Sequence, residues 1–403
     1  RRTFGRNGSE NFSARTSQTA LEQTVSARGN IVVRGGGDVN IVGASVRSDE
    51  GTTLLRSERG NVNIGVLELK STQRSAESLN GVGSEGGADG RSRTIATVTG
   101  AEEQKSSREV RETTGYGSRV SGKGVVVTTG AGDVNVIGSD LRSGKDGTVI
   151  DSARDVNVTA YYDQRSDTRR DELHRQGIAT DVNADGVHIG LREKGQIEET
   201  TVSSREARTS SLSSDGGVSI SAGRTLTNEG TKIRAAGDIV LEAEDIINKA
   251  AYNEYATTTA RTDYDLRQQA GLSANGSGQS ISDAVDGRSK QVNIGTPEAQ
   301  LRVKVDVTQS TDTTAQSNAV VTDLRAGGNI VVKARNTASD EGSRYDAQQN
   351  VVIDAAAYES RAAANTSASA HGDTQTSSTA TGGVNLSAQA TFNANSSGSS
   401  TQS

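Results

Sequence analysis

The 403-residue chain contains no Cys, no Met and no Trp, one Pro, three Phe and three His. Without Cys there is neither a disulfide framework nor a thiolate metal site. Thiol-free composition suits a chain exported unfolded across membranes, although many cytosolic proteins share it. The sequence opens Arg1-Arg2 without an initiator, so it is expected to be a piece of something longer, with any export signal upstream. No apolar run approaches the roughly 18–20 residues of a membrane-spanning helix. Aromatics are 3% and apolar residues 32%, too little for a compact core of large side chains. A thin, elongated core of Val, Ile, Leu and Ala remains possible. Low hydrophobicity also describes disorder, but ordered apolar alternation opposes that for most of the length. The net charge of −6 is small, and acids and bases are interspersed, unlike the basic footprint of a nucleic-acid binder.

One phrase recurs: a Gly-rich turn, an Asp or Asn, then a short alternating strand. It stands at Gly29-Asn30-Ile31-Val32-Val33, Gly37-Asp38-Val39-Asn40-Ile41, Gly60-Asn61-Val62-Asn63-Ile64 and Gly132-Asp133-Val134-Asn135-Val136. Further copies are Arg154-Asp155-Val156-Asn157-Val158, Gly237-Asp238-Ile239-Val240-Leu241 and Gly328-Asn329-Ile330-Val331-Val332. Weaker ones are Asn350-Val351-Val352-Ile353 and Gly383-Val384-Asn385-Leu386. Val39 to Val62 is 23 residues, Val134 to Val156 is 22, and Val218 to Ile239 and Ile330 to Val351 are each 21. A unit of this length with two or three short strands reads as one coil of a right-handed parallel β-helix. Each strand is too short to bury its face alone but stacks on the next coil about 4.8 Å away. Alternation turns Val39 and Ile41 inward and Asn40 outward, with Asn63 above it, and Asn135 and Asn157 repeat the relation. Such amides form ladders along a stack.

A longer period lies above the coil: the phrases at 37, 132, 237 and 328 are separated by 95, 105 and 91 residues. The chain therefore reads as one continuous β-helical unit over 1–403. Its coil pairs fall near 25–65, 120–160, 212–249 and 324–356, with a partial unit near 381–390. Interruptions fall near 66–119, 161–211 and 250–323. Each sends out one polar alternating segment and brings back another: Leu67–Ser78 and Glu103–Thr114, Tyr161–Arg175 and Gln196–Ser210, Tyr252–Gln268 and Leu301–Asn318. Structureless loops of this length are uncommon, whereas antiparallel hairpins fit; disordered arms are the alternative. Two coils advance the helix by about 9.6 Å, which is also the width of one hairpin. Successive arms would then meet edge to edge in a lateral sheet. The fold class expected is all-β: a parallel β-helix with hairpin arms forming that sheet.

The phrases Gly37-Asp38-Val39-Asn40-Ile41-Val42-Gly43, Ala153-Arg154-Asp155-Val156-Asn157-Val158-Thr159-Ala160 and Ser221-Ala222-Gly223-Arg224-Thr225-Leu226-Thr227-Asn228 resemble haemagglutinin repeats. These belong to filamentous haemagglutinins and contact-dependent growth-inhibition effectors, exported by two-partner secretion in Gram-negative bacteria. The alternation of coil pairs with Ser/Thr-rich interruptions is similar to their more C-terminal repeat block. The resemblance implies a right-handed β-helix at the bacterial surface and an outer-membrane transporter as partner, engaged through a region absent here. It further implies adhesion to a host cell, or delivery of a C-terminal toxin to a neighbour, with this block engaging the target outer membrane. No secretion domain or toxin is recognisable in the chain.

Candidate chemistry is sparse. His174, in Asp171-Glu172-Leu173-His174-Arg175, has no second His or Cys at ligand spacing and reads as a solvated arm residue. His188 reads as the outward residue of a short strand, and His371 carries no partner signal. Asp238, Glu242, Glu244 and Asp245 cluster near one coil, but Glu242 and Glu244 point outward as a solvated acidic edge. There is no Trp to stack a sugar, so a β-helical polysaccharide-degrading enzyme is the remote reading. Gly35-Gly36-Gly37-Asp38 and Gly86-Gly87-Ala88-Asp89-Gly90 lack the nine-residue recurrence of a Ca²⁺ roll. Gly122-Lys123-Gly124 lacks a phosphate-loop frame. No catalytic residue, metal, cofactor, nucleic acid or small-molecule substrate is expected. Tyr161, Tyr162, Tyr252 and Tyr255 sit where interruptions begin. They either seal the arm bases against the shaft, the favoured reading, or form a contact surface for a receptor or membrane.

Overall fold

A computed structural model describes residues 2–89, 94–183, 186–274, 297–385 and 390–402. Every regular element is a strand, in two sheets. The chain begins in a lateral sheet, the fin, with β1 (Arg2–Ser17). Coil 1 of the shaft is β2 (Gln23–Ala27), β3 (Ile31–Gly35) and β4 (Val39–Val42). Coil 2 is β5 (Ala44–Ser48), β6 (Thr52–Ser57) and β7 (Val62–Gly65), after which β8 (Leu67–Asp89) and β9 (Thr94–Tyr116) run out and back. Coils 3 and 4 are β10 (Arg119–Thr129) with β11 (Val134–Ile137), then β12 (Asp140–Ser152) with β13 (Val156–Thr159). The second arm is β14 (Tyr161–Asn183) and β15 (Gly186–Arg208). Coils 5 and 6 are β16 (Ser211–Ser214), β17 (Val218–Ala222), β18 (Thr225–Glu229), β19 (Lys232–Ala235), β20 (Ile239–Ala243) and β21 (Asp245–Lys249). The third arm is β22 (Ala251–Ala274) and β23 (Pro297–Val320). Coils 7 and 8 are β24 (Asp323–Ala326) with β25 (Ile330–Glu341), then β26 (Arg344–Ala347) with β27 (Val351–Arg361). The chain ends in the fin with β28 (Thr366–Asn385) and β29 (Ala390–Gln402).

Parallel pairing stacks the coils into three faces. Face 1 runs from β2 through β5, β10, β12, β16, β19 and β24 to β26. Face 2 starts at β3 and β6, and face 3 at β4 and β7. The side chains facing inward fill a narrow core: Val46, Val120, Leu141, Leu212, Ile233 and Leu324 on face 1 are all buried. Burial of each such aliphatic is worth about 1.5–3 kcal/mol. This core is one side chain deep from each face, which is why a chain so poor in large apolar residues can fill it.

The Gly-Asx phrase has a mechanism beyond turn preference. Asp38 Oδ1 accepts the N–H of Asn61 at 2.8 Å, Asn61 Oδ1 that of Asp133 at 2.8 Å, and Asp133 Oδ1 that of Asp155 at 3.2 Å. Each Asx side chain thus caps a backbone donor one coil up. The preceding glycine makes room for it, since a Cβ on Gly60 would lie 2.3 Å from Asp38 Oδ1, and one on Gly328 would lie 2.1 Å from Asp238 Oδ1. The outward amides form the expected ladder, with Asn63, Asn135 and Asn157 each donating to the amide below at 2.7, 2.8 and 2.9 Å.

Sequence alternation did not signal a second polar column, which lies inside. In coils 5–7 the inward position held below by Val158 is taken by Asn228, Asn248 and Asp340, all buried. Asn228 donates to Asn248 at 2.8 Å, and Asn248 to Asp340 at 2.9 Å. Tyr345 and Tyr358 donate their hydroxyls to the two Asp340 oxygens at 2.6 and 2.8 Å. These bonds satisfy most of the buried polar atoms, whereas Asn228 Oδ1, at the lower end of the column, has no hydrogen-bond partner.

All arms leave from one corner, between faces 3 and 1, after every second coil. In the odd coils the chain turns this corner on Gly43, Gly138, Gly230 and Gly342, with φ of 58°, 54°, 59° and 64°. The first residues of the neighbouring arms crowd these glycines: a Cβ on Gly138 would lie 2.8 Å from Tyr161 Cβ. Where each arm returns, a buried hydroxyl bonds carbonyls of the coils below. Ser118 Oγ donates to Gly65 O at 2.6 Å, Ser210 Oγ to Thr159 O at 2.8 Å and Thr322 Oγ1 to Lys249 O at 3.1 Å.

The fin is a nine-stranded antiparallel sheet in the order β1-β8-β9-β14-β15-β22-β23-β28-β29. Adjacent arms pair along nearly their whole length, from Gln164↔Thr113 to Val182↔Ile95 between the first two. The described middles of the first two arms are strand, each continuing in register with its neighbours, and most of the third lies outside the described residues. The segment near 381–390, expected as a partial coil, differs as well. Gly383 and Val384 belong to β28 and pair with Gln300 and Ala299 of the fin. Residues 386–389 of that segment lie outside the described residues. A Gly-x-Asn phrase with alternation suits either a coil or a fin strand, and the neighbouring edge decides.

Gly138→Ala should cost about 2–5 kcal/mol, combining about 1–2 for left-handed backbone with about 1–3 for overpacking. Gly65→Ala, one residue before the even-coil corner and with nothing within 4 Å of its Cβ position, should leave the urea midpoint nearly unchanged. Similar midpoints for the two variants would contradict this account of the corner.

Candidate contact surfaces of the fin

At its base the fin is braced against the shaft. Tyr162, the second residue of its arm, donates its hydroxyl to Glu229, which also pairs with Lys249 at 3.1 Å. One repeat further on, Tyr252 donates to Glu341 at 2.5 Å, and Arg361 pairs with Glu341 at 3.3 Å. Each brace joins an arm to the glutamate just before the corner glycine of the next odd coil. Tyr161 rests on Gly115 and Gly138, and its hydroxyl reaches Glu68 at 3.4 Å. The Arg205 guanidinium stacks 3.5 Å over the Tyr162 ring, a cation–π contact. Tyr255 differs: it is 38% exposed and donates to Glu206 at 3.2 Å within the fin. Burial, then the bond to Glu229 and its charge, push the Tyr162 hydroxyl up to about 12.

Farther out the two faces of the fin diverge. Directly opposed residues of an antiparallel pair share a face. The pairs Ile178↔Leu191, Thr180↔Ile189 and Val182↔Val187 therefore lie together. Register carries the same face through Leu191↔Gln268 and Ile189↔Ala270 to Ala270↔Leu301 and Gln268↔Val303. These aliphatics are open to solvent: Ile178 60%, Ile189 54%, Leu191 63% and Leu301 60% exposed. The opposite face holds ion pairs. Arg175 bonds Glu102 at 2.5 Å with both buried, and Arg192 bonds Asp265 through two nitrogens at 2.8 and 2.5 Å. Burial works to raise the Asp265 carboxyl, but its bonds to Arg192 and Arg267 hold it far below the usual range.

The histidines fall in this sheet. His188 is a correction to the expected outward residue: it is 2% exposed in β15, opposite Asp181, with its ring over Gly271. Long neighbours and the missing Cβ of Gly271 bury it, which the alternation of its own strand does not reveal. His174 Nδ1 meets the Tyr264 hydroxyl at 2.8 Å. His371, which carries no partner signal in the sequence, lies between Asp312 at 2.5 Å and Asp373 at 2.9 Å. Its bonds to these two carboxylates raise it above the ordinary histidine value. No group of three or more His, Cys, Asp or Glu arranged to hold a metal occurs among the described residues.

Two titrations check this geometry. A group raised in the fold contributes stability that is complete below its unfolded value and lost as pH rises through its folded one. The Tyr162 brace should therefore hold up to about pH 10 and fail near 12, where one phenolate absorbance step should vanish in Tyr162→Phe. The His371 ring should titrate above 6.5 by NMR, with Asp373→Asn moving it down.

Comparison with known proteins is consistent with this architecture. The hemagglutinin repeat family matches residues 4–172, 99–196, 191–295 and 303–403. A hemolysin of Serratia marcescens is 26% identical over 351 residues, covering 84% of this chain and 21% of that protein. The tRNA nuclease CdiA-2 of Burkholderia pseudomallei is 26% identical over 271 residues, 67% of this chain and 8% of the nuclease. The chain thus spans about a fifth or less of these relatives. No solved structure matches. With repeat matches along nearly its whole length and a shaft built coil on coil, the chain belongs to the hemagglutinin repeat family of two-partner-secretion exoproteins found at the Gram-negative cell surface.

Proposed function

We propose that this chain is a rigid shaft segment of a large exoprotein, serving adhesion or contact-dependent toxin delivery by holding other parts of that protein away from the producing cell. The continuous core through eight coils supports this role, because stacked repeats resist bending at every ladder. Export would use a dedicated outer-membrane transporter, bound through sequence outside this chain. The nuclease named in the relatives describes those proteins, and no catalytic role is proposed for this segment.

A specific observation favours a second role, in which the arms themselves engage a cell surface or target outer membrane. It is the one-sided exposure of Ile178, Ile189, Leu191 and Leu301 on the outer fin. Contiguous apolar surface of this kind marks interaction sites. Contact would then centre on the outer strands rather than on Tyr161, Tyr162 and Tyr252 at the base. Tyr255, exposed within the fin, would add an accessory contact.

Incubating the 403-residue chain with outer-membrane vesicles from Gram-negative cells separates the roles. Saturable binding that falls at least about tenfold, about 1.4 kcal/mol, in Ile178→Ser/Leu191→Ser/Leu301→Ser supports the second. No binding by the unaltered chain leaves a spacer alone.

A further inference from the structure

The three shaft faces differ in charge although the chain as a whole is acidic. Face 1 strands carry Arg47, Arg119, Arg142, Lys232, Arg234, Arg325 and Arg344 against Asp140, Asp323 and Asp346, seven basic to three acidic. Face 3 strands carry Lys249 and Arg361 against Glu229, Asp245, Asp340, Glu341 and Glu359, two to five. The seven basic residues of face 1 are all exposed.

Register aligns part of this charge in a row along the shaft. Arg47 pairs with Ser121, Ser121 with Arg142, Arg142 with Ser213, Ser213 with Arg234, and Arg234 with Arg325. The row therefore reads Arg, Ser, Arg, Ser, Arg, Arg over six successive coils. Arginines two coils apart are separated by about 9.6 Å, with a hydroxyl between them. Arg142, Ser213, Arg234 and Arg325 line an open groove at the edge of face 1, together with Asp215 and Asp346. Arg325 and Arg234 share Asp323 at 3.0 and 3.6 Å. Arg142 has no ion-pair partner among the described residues.

We propose that this row of face 1 binds an extended acidic polysaccharide, with Arg47, Arg142, Arg234 and Arg325 each meeting an anionic group along one chain. A planar guanidinium pairs with carboxylate or sulfate through two parallel bonds. The rise of one coil, about 4.8 Å, is close to the length of one sugar, so a linear polymer acidic on every sugar offers an anion to each arginine, the adjacent Arg234 and Arg325 included, and the serine hydroxyls meet the sugars between. A single anion would use one arginine, whereas a polymer engages several at once and gains by effective concentration. A single-stranded nucleic acid is disfavoured, because such binding relies on aromatic platforms and the outward positions of face 1 carry none. The proposal uses the shaft, so it stands or falls independently of the apolar outer fin.

The test is binding of the 403-residue chain to polygalacturonate and dextran sulfate, with galacturonate monomer, inorganic sulfate and anionic phospholipid vesicles as separate arms. The expected result is polymer binding that weakens as salt is raised to about 0.15 M, where screening acts over about 8 Å. Arg142→Ser/Arg234→Ser/Arg325→Ser should weaken it at least about tenfold, while Arg34→Ser/Arg56→Ser on face 2 should not. Ser213→Arg, which fills a gap in the row, should tighten binding and keeps the test informative if the triple variant misfolds. The proposal is overturned by equal losses in both variant sets, by no response to Ser213→Arg, by monomer affinity equal to that of polymer, or by binding to vesicles alone.

Discussion

Two coils of the shaft and one hairpin of the fin are each two hydrogen-bonded strands wide, about 9.6 Å, and the architecture rests on that equality. An arm after every coil would bring twice as many strands to the corner as the fin has width for. An arm after every third would leave gaps between hairpins. The chain meets the constraint by turning the odd coils on left-handed glycines and opening the even ones into arms. Strand order along the fin therefore follows chain order without a crossover.

The two sheets are stabilised differently. The shaft buries a column of aliphatics between three faces, so hydrophobic burial dominates there. The fin is a single layer with water available to both sides, and the strands of its three arms, each 23 or 24 residues long, have no second sheet to pack on. Cross-strand pairs are what remain: Arg108 on Asp167 through two bonds at 2.8 and 2.5 Å, or Thr168 against Thr201 at 3.2 Å. Exposed pairs of this kind contribute little singly, about 0–1 kcal/mol. Anchorage at the corner hydroxyls and the tyrosine braces supplies what the layer lacks, by fixing where each arm starts and how it leaves.

Much of this was legible in the residues. The Gly-Asx phrase, its spacing of 21–23 residues and the grouping by pairs are local patterns, and the width of a hairpin turns them into a fin. What escaped depends on partners far away in sequence. Tyr162 and Glu229 are 67 residues apart, and Tyr252 and Glu341 are 89 apart. His188 is buried by neighbouring strands rather than by anything in its own. The inner polar column of Asn228 and Asn248 is defined by register, which sets them above Val158. The apolar side of the fin is diluted within each polar strand and emerges only when several are laid together.

The Asx ladder has a direction. Asp38 accepts from Asn61, Asn61 from Asp133, and Asp133 from Asp155, so each acceptor belongs to the earlier coil and each donor to the later. A completed coil presents a fixed oxygen to whatever chain comes next, at a net gain of about 0.5–1.5 kcal/mol per bond. Growth from the amino end thus works as a ratchet: each turn is a template for its successor, and slipping back by one residue forfeits the latch.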